Sequence, residues 1–271
     1  MNLTKIIAFV LLAFSLFLAY YLYNSIDTTI KEREAIASTE AQIIDKLSII
    51  REAEKVYLEQ YGKYTSSWDT LINFIENGVV PIIEKKETII PKGYGVEEVI
   101  VKIDTIGEIS AKDKIFKKNY TINAADNGEL RELYVKAGED VVKGSKSYRM
   151  KKDGNEKSDE YTFLEAGSIS AVADVKPGDR VTRGQLLISF WNYSLNPAVD
   201  IKTLAEVPGS GGKKFDIFTA LNNRNGVNVA VIEVKDPAPT NPERRESNEA
   251  KNRKPLRFGS RNDVSTAGNW E

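Results

Sequence analysis

The chain of 271 residues contains no cysteine and no histidine. Without thiolates there is no disulfide, iron–sulfur cluster or cysteine nucleophile, and without imidazole no Ser-His-Asp triad can be assembled. A metal would have to be held by oxygens alone, and acid–base chemistry would fall to carboxylates, lysine or tyrosine. An excess of one charge is missing too. The 38 Lys plus Arg are offset by 39 Asp plus Glu, a net charge of −1, so nothing compensates nucleic-acid phosphates and no nucleic-acid partner is expected. The missing cysteines are compatible with either side of a membrane. Proline is scarce at the front of the chain, the first being Pro81, which leaves room for a long unbroken helix. The apolar content, 41%, suffices for an ordinary core.

One long apolar run is present. Ile6 to Tyr23 carries no charge and only Ser15 and the tyrosine hydroxyls as polar groups. As a helix it spans roughly 27 Å, about the hydrocarbon thickness of a bilayer. Tyr20, Tyr21 and Tyr23 crowd its C-terminal end, where amphipathic rings favour the headgroup region. A cleaved signal peptide is the rival reading, since Lys5 follows the α-amine. However, the apolar run is long for that, and Tyr23-Asn24-Ser25-Ile26 offers no small-x-small cleavage site. Lipid contact is therefore expected through residues 6–23. Lys5 on one side and Lys31 and Arg33 on the other nearly balance the positive-inside count. The very short N-terminal lead favours an N-in, single-pass protein of a bacterial inner membrane, with the bulk of the chain in the periplasm.

The amphipathic pattern continues beyond the span. Ile43, Leu47, Ile50, Ala53, Tyr57 and Tyr61 recur at steps of three and four, while Asp45, Arg51, Glu52, Lys55 and Glu59 keep the other face wet. This predicts one helix from the membrane to Tyr61, stopped by Gly62. A second short helix is expected from Ser66 or Ser67, where Ser66-x-x-Asp69 forms a loose capping box, to Asn77-Gly78. The stretch Ile50-Arg51-x-Ala53-Glu54-x-x-Tyr57-x-x-x-Tyr61-Gly62-Lys63-Tyr64-Thr65, then Trp68-x-x-Leu71 and Gly78-Val79-Val80-Pro81, resembles the helix end and following turn of type IV pilins and pseudopilins. The resemblance implies a membrane helix and an amphipathic helix joined in one rod. The prepilin cleavage site with its Phe-Thr-x-x-Glu is absent: Ala8-Phe9 leads into Val10-Leu11-Leu12-Ala13.

From about residue 86 to 236 the chain reads as strands. Val99, Val101 and Ile103 alternate with Ile100 and Lys102, and Phe215 to Leu221 with Val227 to Val234 predicts a hairpin across Asn222-Asn223-Arg224-Asn225-Gly226. Between them lies an internal repeat. Val135-Lys136-Ala137-Gly138-Glu139-Asp140-Val141-Val142-Lys143-Gly144 is matched forty positions on by Val175-Lys176-Pro177-Gly178-Asp179-Arg180-Val181-Thr182-Arg183-Gly184. Both copies fit V-K-x-G-[ED]-x-V-x-[KR]-G, each after a short apolar strand, Leu130 to Val135 or Ile169 to Val175. Gly138, Gly144, Gly178 and Gly184 are the expected turn residues. The paired signature resembles the two halves of barrel-sandwich hybrid domains, found in lipoyl and biotinyl carriers and in the membrane-fusion subunits of export pumps. Carriers place a modified lysine between the halves in Glu-Ala-Met-Lys-Met or Asp-Lys-Ala contexts. Here Arg149-Met150-Lys151-Lys152-Asp153-Gly154 sets Met150-Lys151 too close to Gly144, and a charged surface hairpin is expected, with no cofactor.

Other motifs fail on their chemistry. In Gly209-Ser210-Gly211-Gly212-Lys213-Lys214 the first position of a phosphate loop falls on Val207, and Lys214 replaces the magnesium-binding hydroxyl. Asp153-x-Asn155-x-Lys157-x-Asp159 puts lysine at a calcium-ligand position. No carboxylate pair stands out, so no catalytic, cofactor or metal residue is nominated and no enzyme is expected. The segment from Pro237 to Glu271 holds four of the nine prolines (Pro237, Pro239, Pro242 and Pro255) and few large apolar residues, with a basic run of Lys251, Arg253, Lys254, Arg257 and Arg261. It is expected to be disordered or extended. Phe258 and Trp270 are then candidate partner-docking anchors, the rival being an extra strand laid on the β module.

Together these readings give an α+β chain in four parts: anchor 1–23, helical stalk 24–85, β-rich domain 86–236 with a barrel-sandwich-like module, and tail 237–271. The expected role is a noncatalytic, membrane-anchored scaffold or adaptor of the cell envelope, with a protein partner in the envelope or a second copy of itself. The alternative is a membrane-fusion-like adaptor of a transport or secretion system, whose usual helical hairpin between the halves has no room here.

Overall fold

The computed structural model describes residues 3–91, 97–224, 226–245 and 254–271. Asn225 of the expected hairpin turn, and Lys251 and Arg253 of the basic run, lie outside the described residues. The fold is α+β, a long N-terminal helix with a body rich in β-sheet.

Helix α1 (Leu3–Tyr61) runs unbroken for 59 residues. It ends where Gly62 turns to φ 71°, a left-handed backbone that glycine adopts without strain. Of the expected apolar stripe, Ile43, Leu47, Ile50 and Ala53 are fully buried, whereas Tyr61 is 51% exposed. Helix α2 (Trp68–Asn77) follows, burying Leu71, Phe74 and Ile75.

Contacts divide the chain into two compact units, neither of them continuous in sequence. The first comprises Met1–Glu54, Tyr61–Trp68 and Lys202–Glu271. Its sheet is antiparallel in the order β11 (Asp216–Arg224), β12 (Val227–Lys235), β13 (Arg257–Gly259). The β11–β12 ladder continues to Arg224↔Val227, so the hairpin strands are longer than expected. Val231, Ile232, Val234, Leu256 and Phe258 are buried in this unit, as are Ile43, Leu47, Ile50 and Ala53 of α1. Polar side chains fasten the chain to α1: Lys46 Nζ donates to the carbonyls of Thr203 and Glu206, and Arg244 pairs with Glu40 at 2.6 Å. The expected boundary at 236/237 therefore does not hold. Strand β13, from the presumed tail, completes the sheet that the 216–235 hairpin begins.

The second unit, Lys55–Gln60 and Asp69–Ile201, begins its sheet structure earlier than residue 86. Strands β1 (Val79–Pro91) and β2 (Glu97–Ser110), which contains the alternating 99–103 stretch, pair as a two-stranded ribbon. A short helix α3 (Ala111–Phe116) follows, its N-terminus capped by Ser110 Oγ accepting from the Asp113 N–H. Eight strands come next: β3 (Lys117–Asn123), β4 (Gly128–Leu133), β5 (Asp140–Val141), β6 (Lys146–Lys152), β7 (Ser158–Thr162), β8 (Gly167–Val172), β9 (Arg180–Val181) and β10 (Leu186–Tyr193). They form two four-stranded sheets, ordered β7-β6-β4-β9 and β3-β10-β8-β5. Leu130, Val141, Met150, Phe163, Ile169, Val181, Leu187 and Phe190 belong to the single core of this module.

Candidate functional site

The repeated segments occupy matching places. In the first copy the acid of V-K-x-G-[ED] accepts from the backbone N–H three residues earlier, Lys136 N to Glu139 Oε2 at 2.9 Å. In the second copy Lys176 N to Asp179 Oδ2 is 2.8 Å. Gly138 N–H donates to the Ile169 carbonyl, and Gly178 N–H to that of Leu130. Gly144 N–H donates to Phe163 and Gly184 N–H to Ala124, both at 2.8 Å. All four glycines have positive φ, between 84° and 99°. An added Cβ at any of them would meet nothing within 4 Å, so backbone handedness alone, not crowding, requires glycine there.

The same pairing interlocks the halves. Strand β5 of the first copy pairs with β8 of the second (Val141↔Gly167), and β9 of the second pairs with β4 of the first (Gly128↔Val181). Val141 and Val181 both enter the common core. At the partner positions a Cβ on Gly128 would come within 2.2 Å of the Lys151 carbonyl oxygen, and one on Gly167 within 2.4 Å of that of Trp191. Sequence reasoning missed these two glycines because they lie outside the repeated motif. Each follows a small uncharged residue, Asn127 or Ala166, and opens a strand, which signals nothing about how closely a backbone approaches.

The hairpin compared with carrier lysines is held otherwise. Met150 is fully buried in the core and pairs with Asp159, and Lys152 bridges Asp159 at 3.1 Å. Asp153, first in the calcium-like spacing, is bridged by Arg180. These side chains are occupied in folding the module.

The N-terminal part of α1 has the opposite character. It is long and apolar enough to cross a membrane, and its 18-residue window of mean hydropathy 1.4 is entirely unburied. Leu16 and Phe17 are each more than 60% exposed, a cost in water that lipid would remove.

Glu54 ties the last turns of α1 to the segment that follows the helix. It lies on α1, fully buried, with Oε2 accepting the Thr65 backbone N–H at 3.0 Å. Thr65 Oγ1 in turn accepts from Ser67 N–H. Burial raises the Glu54 carboxyl to about 8 against the opposing Thr65 hydrogen bond, and burial with the nearby Glu54 charge raises the Tyr64 phenol. The Glu54 Oε1 has no hydrogen-bond partner. A buried carboxyl of this kind is best accommodated protonated.

The two docking candidates are placed unequally. Phe258 is fully buried, in β13 opposite Val234, so it cannot anchor a partner without unfolding the sheet. The expectation of docking through Phe258 is corrected on that ground. Around it, Asp236 N–H donates to the Leu256 carbonyl, and Glu233 binds both Arg257 and Arg261. The basic run is thus partly neutralised within the fold. Trp270 is half-buried, with the Arg51 guanidinium 5.8 Å from its ring centroid, and the neighbouring Glu271 carboxylate pairs with Arg51.

No family model and no curated protein matches the chain. Solved structures do. One is described as a single-chain, multi-domain long-chain acyl-CoA carboxylase, similar at 20% identity over 30% of this chain and 7% of that chain, with a TM-score of 0.25.

Proposed function

We propose that this is a noncatalytic, membrane-anchored protein of the cell envelope that serves as a scaffold or adaptor for an envelope assembly. The observation that carries the reading is the contrast along α1. A fully exposed apolar stretch leads without interruption into a stretch whose stripe is buried and fastened by Lys46 and Glu40. Such a helix ties a folded body rigidly to a bilayer. The unbroken course of α1 from the apolar stretch to Tyr61 supports the pilin-like reading of the stalk. The strand orders, with short strands exchanged between two repeated halves, support a barrel-sandwich hybrid for residues 117–193. The glycine turns and the acids beside them are used up in building that module, which is why we assign it a binding and spacing role instead of carriage or catalysis. The anchor is N-in, with residues 24–271 outside the cytoplasm of a bacterial inner membrane.

Cross-linking in native membranes, followed by detergent extraction, tests the role. A scaffold gives discrete cross-linked species with other envelope proteins. A membrane-fusion-like ring adaptor gives a ladder of its own copies. A chain that stays uncross-linked and is released by carbonate alone contradicts both.

A further inference from the structure

The sandwich of residues 117–193 is open along one side. Strands β3 and β7 are the outer strands of their sheets and do not pair with each other. Between them lies a cavity of about 320 Å³, within the size range of small-ligand sites. Two aromatic stacks wall it. Tyr120 lies on Phe190 with centroids 5.1 Å apart and 16° between planes, and Tyr148 on Tyr161 at 4.5 Å and 6°. The floor is satisfied only in part: Ser147 Oγ donates to the Tyr161 carbonyl and Tyr148 Oη accepts from Ala125 N–H, whereas the buried Tyr161 hydroxyl has no hydrogen-bond partner and can accept from an ammonium.

The charge of the lining is one-sided. Among the residues that line the cavity the sole ionisable group other than tyrosine is Glu165, an exposed carboxylate at the rim. No lysine or arginine is among them. Leu164, 77% exposed, forms an apolar lip beside it. Aromatic faces are the negative side of the ring quadrupole and attract cations, the more so when desolvated. An anion would find a carboxylate at the rim and no lysine or arginine in the lining.

We infer that this cleft binds a small organic cation, an amine with an apolar or aromatic body, its ring or chain between the tyrosine stacks and its ammonium toward Glu165. This goes beyond the scaffold role and does not depend on it, since binding is read on the purified chain whatever its location or partners.

The test uses the full chain in nanodiscs and two charge-reversed probes of like shape, 2-phenylethylamine and 3-phenylpropionate, with binding followed by calorimetry. The amine is expected to bind at least tenfold more tightly than the acid. Glu165→Gln should reduce that preference at least threefold. Tyr120→Leu, which keeps an apolar wall but removes the ring, should weaken the amine at least threefold, and Tyr120→Phe should restore it. The restoration separates loss of an aromatic face from loss of fold, and thermal unfolding of each variant checks the same point. Equal binding of both probes with no effect of Glu165→Gln overturns the inference, as does absence of amine binding to the unaltered chain.

Discussion

Single residues make two separable demands on this fold, one of handedness and one of space. Gly138 and Gly178 need only positive φ, so Gly138→Val and Gly178→Val should each destabilise the second unit by about 1–3 kcal/mol. Asn, which tolerates the left-handed region, should cost less at both. Gly128→Ala should be worse than either asparagine variant, because its Cβ would lie 2.2 Å from a carbonyl oxygen. Urea denaturation of the five variants checks this ordering, and tolerance of valine at one repeat glycine but not the other would break their equivalence. Glu54 sets a pH dependence. Its folded-state value of about 8 lies above the ordinary 4.5, so between those values the folded chain holds a proton that the unfolded chain releases. Stability should therefore be constant below about pH 4.5, fall as pH rises to about 8, and level off at a loss on the order of a few kcal/mol. Glu54→Gln, which retains an acceptor for Thr65, should remove most of that slope in denaturation curves at pH 5 and pH 8.

At the scale of elements, the tail is the place where the sequence and the structure part. Its prolines and thin apolar content argue against a self-standing fold, and it does not stand by itself. Three residues of β13 join an existing ladder, where an incoming strand needs only one partner edge and one buried ring. Phe258→Ala should therefore cost about 3–5 kcal/mol, as emptying a core site does. Trp270→Ala should cost less, about 1–2 kcal/mol, the worth of a partly desolvated cation–π contact. Denaturation midpoints of the two variants distinguish them, and near-equal small effects would restore the docking reading of Phe258. The elements that were legible were those with a strong local rule. Examples are the proline-free 3.6-residue pattern of α1, the glycine stop at Gly62, and the V-K-x-G-[ED] turns, whose acid reaches back to a nearby backbone N–H. What was not legible depends on distant chain. Nothing local in Arg257-Phe258-Gly259 reports that β12 has an unpaired edge, and nothing in Gly128 reports that Lys151 comes so close. The cleft between β3 and β7 was equally hidden, since its walls come from strands up to seventy residues apart.

At the scale of the molecule, the two halves of the β module each supply a strand to the other's sheet, so neither half is complete alone and the module should unfold as one cooperative unit. The unit that holds most of α1 takes most of its remaining residues from Lys202–Glu271, so residues 237–271 belong to the same folded body as the apolar helix. The account turns on that body being held at the outer face of a membrane by residues 6–23. The most direct measurement is protease treatment of intact spheroplasts, with detection of an epitope placed after Glu271 and a cytoplasmic protein as the control for lysis. The account predicts that the epitope is lost from membrane-bound protein while the control survives. An epitope that persists until the spheroplasts are lysed would contradict it.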